Sequence, residues 1–221
     1  MATIAKQFPG LVLLVGSSKS GKSYLLKYLL QYYSIDKPIF NFGLVLTGSY
    51  YNYEYEQLPD NAVHEYNEDL LNDYINQLKA RKAKSRGGKL PASFLVLDDC
   101  LGLVVQSKAW RSLISTYRHL NITLFISVQY LKNEASSTLV REQTSVLFAF
   151  KSTNVNTIKT LYEYYGGSIF DNIEAFKSRF NESTNTKYAC MVYIADNELQ
   201  DKNKNMKSVR APAYKQIKLD F

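Results

Sequence analysis

Cysteine and histidine are scarce in this chain: two of each in 221 residues, beside one tryptophan and five prolines. That scarcity excludes several chemistries. Cys100 and Cys190 sit in apolar runs, VLDDCLGLV and YACMVYIA, with no metal-ligand spacing and no disulfide framework. Both are expected to be buried, reduced thiols in a reducing compartment. His64 and His119 have no triad or ligand setting, so serine, cysteine and metal-hydrolase chemistry lack support. No apolar run reaches the roughly 20 residues needed to span a bilayer. MATIAKQFPG is too short and too polar for a secretory leader. The expectation is a protein without membrane spans, not secreted by a signal peptide.

What is present is apolar enough for a core and slightly basic. Hydrophobic residues make up 46% of the chain and the formal net charge is +7, which weakly favours an anionic partner. A chain of this size hides roughly 70% of its unfolded surface. Short apolar runs alternate with helical patterns. Strands are predicted at 11–15, 42–47, 62–66, 94–98, 122–128, 145–150 and 188–194. Helices are predicted at 22–33, 68–85, 108–119, around 154–165, and at 171–180. Asn67 is the expected cap of the long helix, and Leu71, Tyr74, Ile75 and Leu78 its apolar stripe. Strands separated by crossover helices imply an α/β fold, a mostly parallel central sheet flanked by helices. A single domain is expected over 1–195, followed by a polar, mobile tail over 196–221 whose last residues, from 211, dock again.

The chemistry is concentrated in VGSSKSGKS, directly after LVLLV. It matches G-x-x-x-x-G-K-[ST] as Gly16, Gly21, Lys22 and Ser23. Phosphate oxygens need several backbone N–H groups, so the loop must curl tightly. Gly16 lets the strand turn, and Gly21 removes a Cβ where backbone meets phosphate. Ser17, Ser18, Lys19 and Ser20 form the rest of the curl, and Tyr24 follows in the first helical turn. Lys22 reaches the β- and γ-phosphates of ATP, Ser23 completes a Mg²⁺ shell, and the helix adds its N-terminal dipole. Lys19 reads as a solvated lysine, or as a contact to phosphate or to a neighbouring subunit.

Two further elements suit this loop. FLVLD is a buried strand ending in Asp98, placed to hold Mg²⁺ directly or through water, and Asp99 follows as the group that orients and deprotonates the attacking water. ITLFISVQ ends in Gln129, whose amide can bridge the γ-phosphate and that water. Together, Asp99 and Gln129 suggest the P-loop NTPase branch with an additional strand between the phosphate-loop strand and the Asp98 strand.

In GSSKSGKS, the doubled acid of LVLDD and the segment YRHLNITLFISVQ, the chain resembles the FtsK/HerA-type ATPases. More narrowly it is similar to the genome-packaging ATPases of large DNA viruses and their virophages, over about residues 10–150; LVREQTSVLFAF adds to the likeness. The resemblance implies a homo-oligomeric ring, ATP and Mg²⁺ as cofactors, and double-stranded DNA as the moving partner. A capsid or portal-vertex protein is the docking partner it implies, and the viral assembly site in the host cytoplasm, or the virion, the location. It also implies an arginine supplied by the adjacent subunit. Arg118 fits by position, then Arg141, then Arg111; His119 reads as packing or capping.

The DNA contact is expected in KARKAKSRGGK, residues 79–89, which holds six basic residues and no acid. Lys82, Lys84, Arg86 and Lys89 would neutralise backbone phosphates without sequence readout. The alternative is an ordinary helix C-terminus and loop. Lys202, Lys204, Lys207 and Arg210 form a second candidate patch, and Phe40, Tyr50, Tyr51 and Tyr53 are candidate stacking surfaces. The functional expectation is an ATP-hydrolysing translocase that packages a viral double-stranded DNA genome. The alternatives are a nucleotide or small-molecule kinase, for which no arginine-bearing lid is evident, and an ATP-gated capsid assembly factor.

Overall fold

A computed structural model describes residues 2–52, 54–86, 88–131, 137–195 and 206–219. In chain order the elements are α1 (Ala2–Ala5), β1 (Leu11–Val15), α2 (Lys22–Gln31), β2 (Phe42–Thr47), β3 (Val63–Glu65), α3 (Glu68–Lys84), β4 (Ser93–Asp98), α4 (Leu101–Val104), α5 (Lys108–Thr116), β5 (Ile122–Val128), α6 (Thr138–Gln143), β6 (Thr144–Phe150), α7 (Val155–Leu161), α8 (Ile173–Ser183), β7 (Ala189–Ile194) and β8 (Met206–Arg210). This is a mixed α/β fold with mostly parallel strands and flanking helices. The chain divides into two compact units, one built on Leu11–Leu26 and Ser127–Ala213, the other on Lys27–Ile126 and Tyr214–Phe221.

In the second unit the strands run in the order β3-β2-β4-β5. β2 pairs parallel with both β3 and β4, and its last residue, Thr47, lies opposite Asp98. The neighbours of β4 are therefore β2 and β5, which leaves no place beside it for the strand that precedes the phosphate loop. That is the additional-strand arrangement. Asn67 caps α3 as expected, its Oδ1 accepting from the backbone N–H of Asp69 and Leu70, a contact worth about 1 kcal/mol. Leu71, Ile75 and Leu78 are buried, and the Tyr74 hydroxyl donates to the Phe94 carbonyl at 3.2 Å. Glu68, at the start of α3, also accepts from the Lys108 amide at 2.9 Å and so caps α5 across 40 residues. On α5, Trp110, Leu113 and Ile114 face inward with Tyr117 just beyond. α5 stops earlier than its pattern predicts because Tyr117–Asn121 turns tightly, with Asn121 at φ +55°. Phe40 is buried among the rings of Phe8, Phe94 and Phe125, so it packs the core rather than offering a stacking face.

In the first unit β1 pairs parallel with β6, β6 antiparallel with β7, and β7 antiparallel with β8. All residues of β1 and β6 are buried. β8 lies within the segment expected to be a polar, mobile tail: Met206 is buried opposite Tyr193, Lys207 is exposed, and the Ser208 hydroxyl donates to the Ser183 carbonyl at 2.9 Å. An edge strand needs few apolar side chains, so MKSVR carries almost no strand pattern. Residues 214–219 belong to the second unit and bond within it: Gln31 bonds the Lys215 carbonyl and the Ile217 amide, and Leu219 donates to the Gln57 carbonyl. Cys100 and Cys190 are buried and unpaired by any disulfide, as read from their apolar contexts.

Candidate active site

The buried strand β1 delivers the chain to Gly16, whose amide donates to the Val128 carbonyl at 3.2 Å. A Cβ on Gly16 would stand 2.6 Å from Phe150 Cβ and 2.7 Å from Ser20 Oγ, so only glycine fits. The tip closes where the Ser20 amide donates to the Ser17 carbonyl at 3.2 Å, with Lys19 exposed at φ +61°. Gly21, at φ +107°, ends the curl, and helix α2 begins when Leu25 donates to the Gly21 carbonyl at 3.0 Å. Lys22 is buried. Its Nζ donates to the Gly16 carbonyl at 2.6 Å and to the Ser17 carbonyl at 3.2 Å, so the ammonium spans the mouth of the loop. The Ser20 hydroxyl is buried without a hydrogen-bond partner among the described residues. A curl of amides, an inward cation and an orphaned hydroxyl fit a polyphosphate.

Beside this curl opens a cavity of about 440 Å³, walled by the loop tip, by Lys151 and Thr153 after β6, and by the Thr184–Ala189 segment before β7. Lys19, Lys151 and Lys187 give it a positive wall, and no carboxylate among the described residues lines it. The Lys187 ammonium rests 4.8 Å from the Tyr188 ring centroid. Sequence reasoning named the loop tip but missed Lys151, Thr153 and the Thr184–Ala189 segment, which are ordinary loop residues until β6 and β7 bring them to the phosphate loop. Tyr24 points elsewhere: it is exposed and donates to the Pro212 carbonyl at 3.1 Å.

In the other unit, β4 is buried along its whole length and ends on Asp98, 3% exposed. The Tyr55 hydroxyl donates to Asp98 Oδ2 at 2.7 Å, and the Gly48 amide to the Asp98 carbonyl at 3.0 Å. Burial first, then the Asp98 charge, pushes the Tyr55 phenol well above its ordinary range. Asp99 is exposed and adopts φ +50°, a left-handed turn that separates its side chain from the strand. Burial first, then the Asp98 and Asp99 charges, pushes the Cys100 thiol up to about 12. A carboxylate buried this deeply calls for a cation or strong donors. No cluster of three His, Cys, Asp or Glu residues exists among the described residues, so an all-protein metal cage does not fit. A hard cation that takes one carboxylate, and its other ligands from phosphate and water, does. In the first unit, Ser23 is half-buried in the first turn of α2.

Gln129 follows β5 and is exposed. Arg118 is exposed on the turn after α5, its Nε donating to the Tyr117 hydroxyl at 2.9 Å. Arg141, on α6, bonds Glu142 at 3.0 Å and lies 4.8 Å from the Tyr164 ring centroid. Arg111 and His119 are exposed.

The basic segment is divided in its roles. Lys79 donates to Ser112 at 2.7 Å, Arg81 lies over the Phe42 ring, and Lys82 donates to the Gly88 carbonyl at 3.0 Å. Lys84, Arg86 and Lys89 are exposed, Arg86 at φ +50°. Lys207 and Arg210 are exposed on or beside the outer face of β8, and Tyr50 and Tyr51 are exposed on a single turn. Tyr53, Gly87, Lys202 and Lys204 lie outside the described residues. No helix among the described residues is long and apolar enough to cross a membrane.

Comparison with known proteins joins these features to a lineage. The family described as "Poxvirus A32 protein" matches residues 3–165. A curated relative, uncharacterized protein 075L of Invertebrate iridescent virus 6, is 29% identical over 195 residues, covering 86% of this chain and 71% of the relative. Among solved structures, the DNA-packaging ATPase B204 of Sulfolobus turreted icosahedral virus superposes with a TM-score of 0.62 at 19% identity, over 94% of this chain and 100% of that one. The genome packaging NTPase B204 of Sulfolobus turreted icosahedral virus 2, in complex with AMPPCP, gives 0.61 at 18% identity, over 92% and 98%. At such identities the likeness is one of fold, and the fold is that of the P-loop NTPases.

Proposed function

This chain belongs to the poxvirus A32 protein family, and from that premise we propose that it is an ATP-hydrolysing motor that packages a viral double-stranded DNA genome into its capsid. The observation that carries the reading is the phosphate loop itself: the Lys22 ammonium bridging the Gly16 and Ser17 carbonyls, over an unpartnered Ser20 hydroxyl. Packaging is the role named for the B204 proteins that share the fold, and it is assigned to this chain by that kinship together with the loop.

In this reading the amides from Ser17 to Ser23 cradle the triphosphate. Lys22 exchanges its carbonyl partners for the β- and γ-phosphate oxygens. Ser23 and Asp98 hold Mg²⁺, which neutralises charge on those oxygens when bound. Asp99 takes the proton of the attacking water, and the Gln129 amide orients that water at the γ-phosphorus. Arg118 of a neighbouring copy in a ring stabilises the charge that develops in the transition state, with Arg141 the next candidate. Domain 1–195 acts as the motor, and Lys82, Lys84, Arg86 and Lys89 grip the DNA backbone. A capsid or portal-vertex protein anchors the ring at the viral assembly site in the host cytoplasm.

The deciding experiment is ATP turnover with and without duplex DNA, alongside particle mass in ATP and Mg²⁺. Turnover that rises with DNA, in a particle of several subunits, supports the proposal. Phosphate transfer to a nucleotide in preference to water would make the protein a kinase. Tight binding with negligible hydrolysis would make it an assembly factor.

A further inference from the structure

Tyr55 carries no signal in the sequence, yet its buried hydroxyl makes a 2.7 Å hydrogen bond to Asp98 Oδ2. The geometry around it is built. Tyr55 is 4% exposed, and the residues that follow it are pinned. The Leu58 amide donates back to the Tyr55 carbonyl at 2.9 Å; Gln57 donates to the Lys27 carbonyl at 3.0 Å and accepts on its own carbonyl from Leu219 at 2.6 Å. Opposite, Asp98 is fixed by the β2–β4 register, Thr47 facing it across the ladder. Donor and acceptor thus belong to two separately anchored pieces of backbone.

We propose that Tyr55 is the positioning residue of the metal-holding aspartate, fixing Asp98 Oδ2 so that the carboxylate is oriented before Mg²⁺ and nucleotide arrive. The inference rests on the proposed ATPase reading, which makes Asp98 a metal-holding residue. A carboxylate has about four lone-pair sites and rotates readily about its last bond. A buried phenol that occupies one oxygen removes that rotation, and such outer-shell partners typically govern metal affinity by about 10- to 100-fold. The phenol suits the task because it donates without adding charge: a lysine or arginine there would neutralise Asp98 and compete with the metal.

The test is Tyr55→Phe, which removes one oxygen and leaves the ring in its pocket. Mn²⁺ binding to the ATPγS complex, followed by electron paramagnetic resonance, should weaken by roughly tenfold or more. Binding of a fluorescent ATP analogue in EDTA should match the wild type. In an Asp98→Asn background the same substitution should leave Mn²⁺ affinity unchanged, because the group it positions is gone. Unchanged Mn²⁺ affinity in Tyr55→Phe overturns the proposal. Should that variant fail to fold, the hydroxyl proton of the buried phenol can be followed by NMR in the unaltered protein. It should shift when Mg²⁺ is added to the ATPγS complex; a resonance indifferent to the metal also overturns the proposal. The two levels of failure are distinct: a wild type that binds no nucleotide sinks the ATPase reading, whereas a metal-dependent wild type matched by Tyr55→Phe sinks only this inference.

Discussion

Gly21 and Tyr188 meet with both backbones in the left-handed region, φ +107° and +66°, and a Cβ on Gly21 would stand 3.1 Å from Tyr188 Cβ and Cδ1. The phosphate loop is therefore closed from outside by the segment that leads into β7. Gly21→Ala meets two costs: strain of about 1–2 kcal/mol from the positive φ, and crowding against Tyr188. Affinity for an ATP analogue should fall by roughly tenfold, since 1.4 kcal/mol is a factor of ten. Adding Tyr188→Ala relieves only the crowding, so fluorescence titration should record partial recovery. Complete recovery would mean that backbone strain plays no part.

The two adjacent aspartates should separate by experiment, because one is buried on β4 and the other turned out at φ +50°. Asp99→Asn should leave ATP-analogue binding intact and slow turnover by about 10²-fold or more, the usual worth of a general base. Asp98→Asn should also remove the dependence of nucleotide affinity on Mg²⁺. Paired turnover and equilibrium-binding measurements decide. Equal effects of the two substitutions on binding would contradict the division of labour.

Burial sets the alkaline limit of the fold. The Cys100 thiol ordinarily ionises at 9.0 and is raised to about 12 in the folded chain; the Cys190 thiol moves the same way. The unfolded chain thus loses these protons first. The Cys100 contribution is complete below pH 9.0 and disappears as pH climbs toward about 12, and that of Cys190 is lost in the same direction. Urea midpoints should drop across that window. At about pH 8 a thiol reagent should label the native protein slowly and both cysteines promptly after denaturation. Fast native labelling would contradict their burial.

Among the basic residues of 79–89, Lys84, Arg86 and Lys89 are exposed and make no side-chain hydrogen bond or ion pair among the described residues, whereas Lys82 holds the Gly88 carbonyl. Replacing those three with alanine should reduce the logarithmic salt slope of duplex binding by up to about 3, one per lost phosphate contact. Fluorescence anisotropy at several salt concentrations measures it. An unchanged slope would move the DNA contact to another surface.

Legibility followed the physics of each element. Strands 11–15, 42–47 and 122–128 were readable to the residue because they are fully or largely buried and bounded by turn residues. The phosphate loop was readable because backbone binding of phosphate restricts both glycines and the lysine. β8 was not, since an edge strand in MKSVR needs one buried side chain. Tyr55 was not, because a tyrosine amid YYNYEYEQL carries no signal until the fold turns it onto Asp98. The Lys151 and Thr184–Ala189 wall of the cavity is likewise a product of β6 and β7 pairing.

The central claim is that the Lys22 ammonium, now on the Gly16 carbonyl at 2.6 Å, serves a triphosphate whose hydrolysis is coupled to DNA. It is tested most directly by ATP turnover of the wild type and Lys22→Ala, each with and without duplex DNA. The account predicts wild-type hydrolysis stimulated by DNA, and a loss of about 10²-fold or more in Lys22→Ala under both conditions. Turnover in Lys22→Ala equal to the wild type would contradict it.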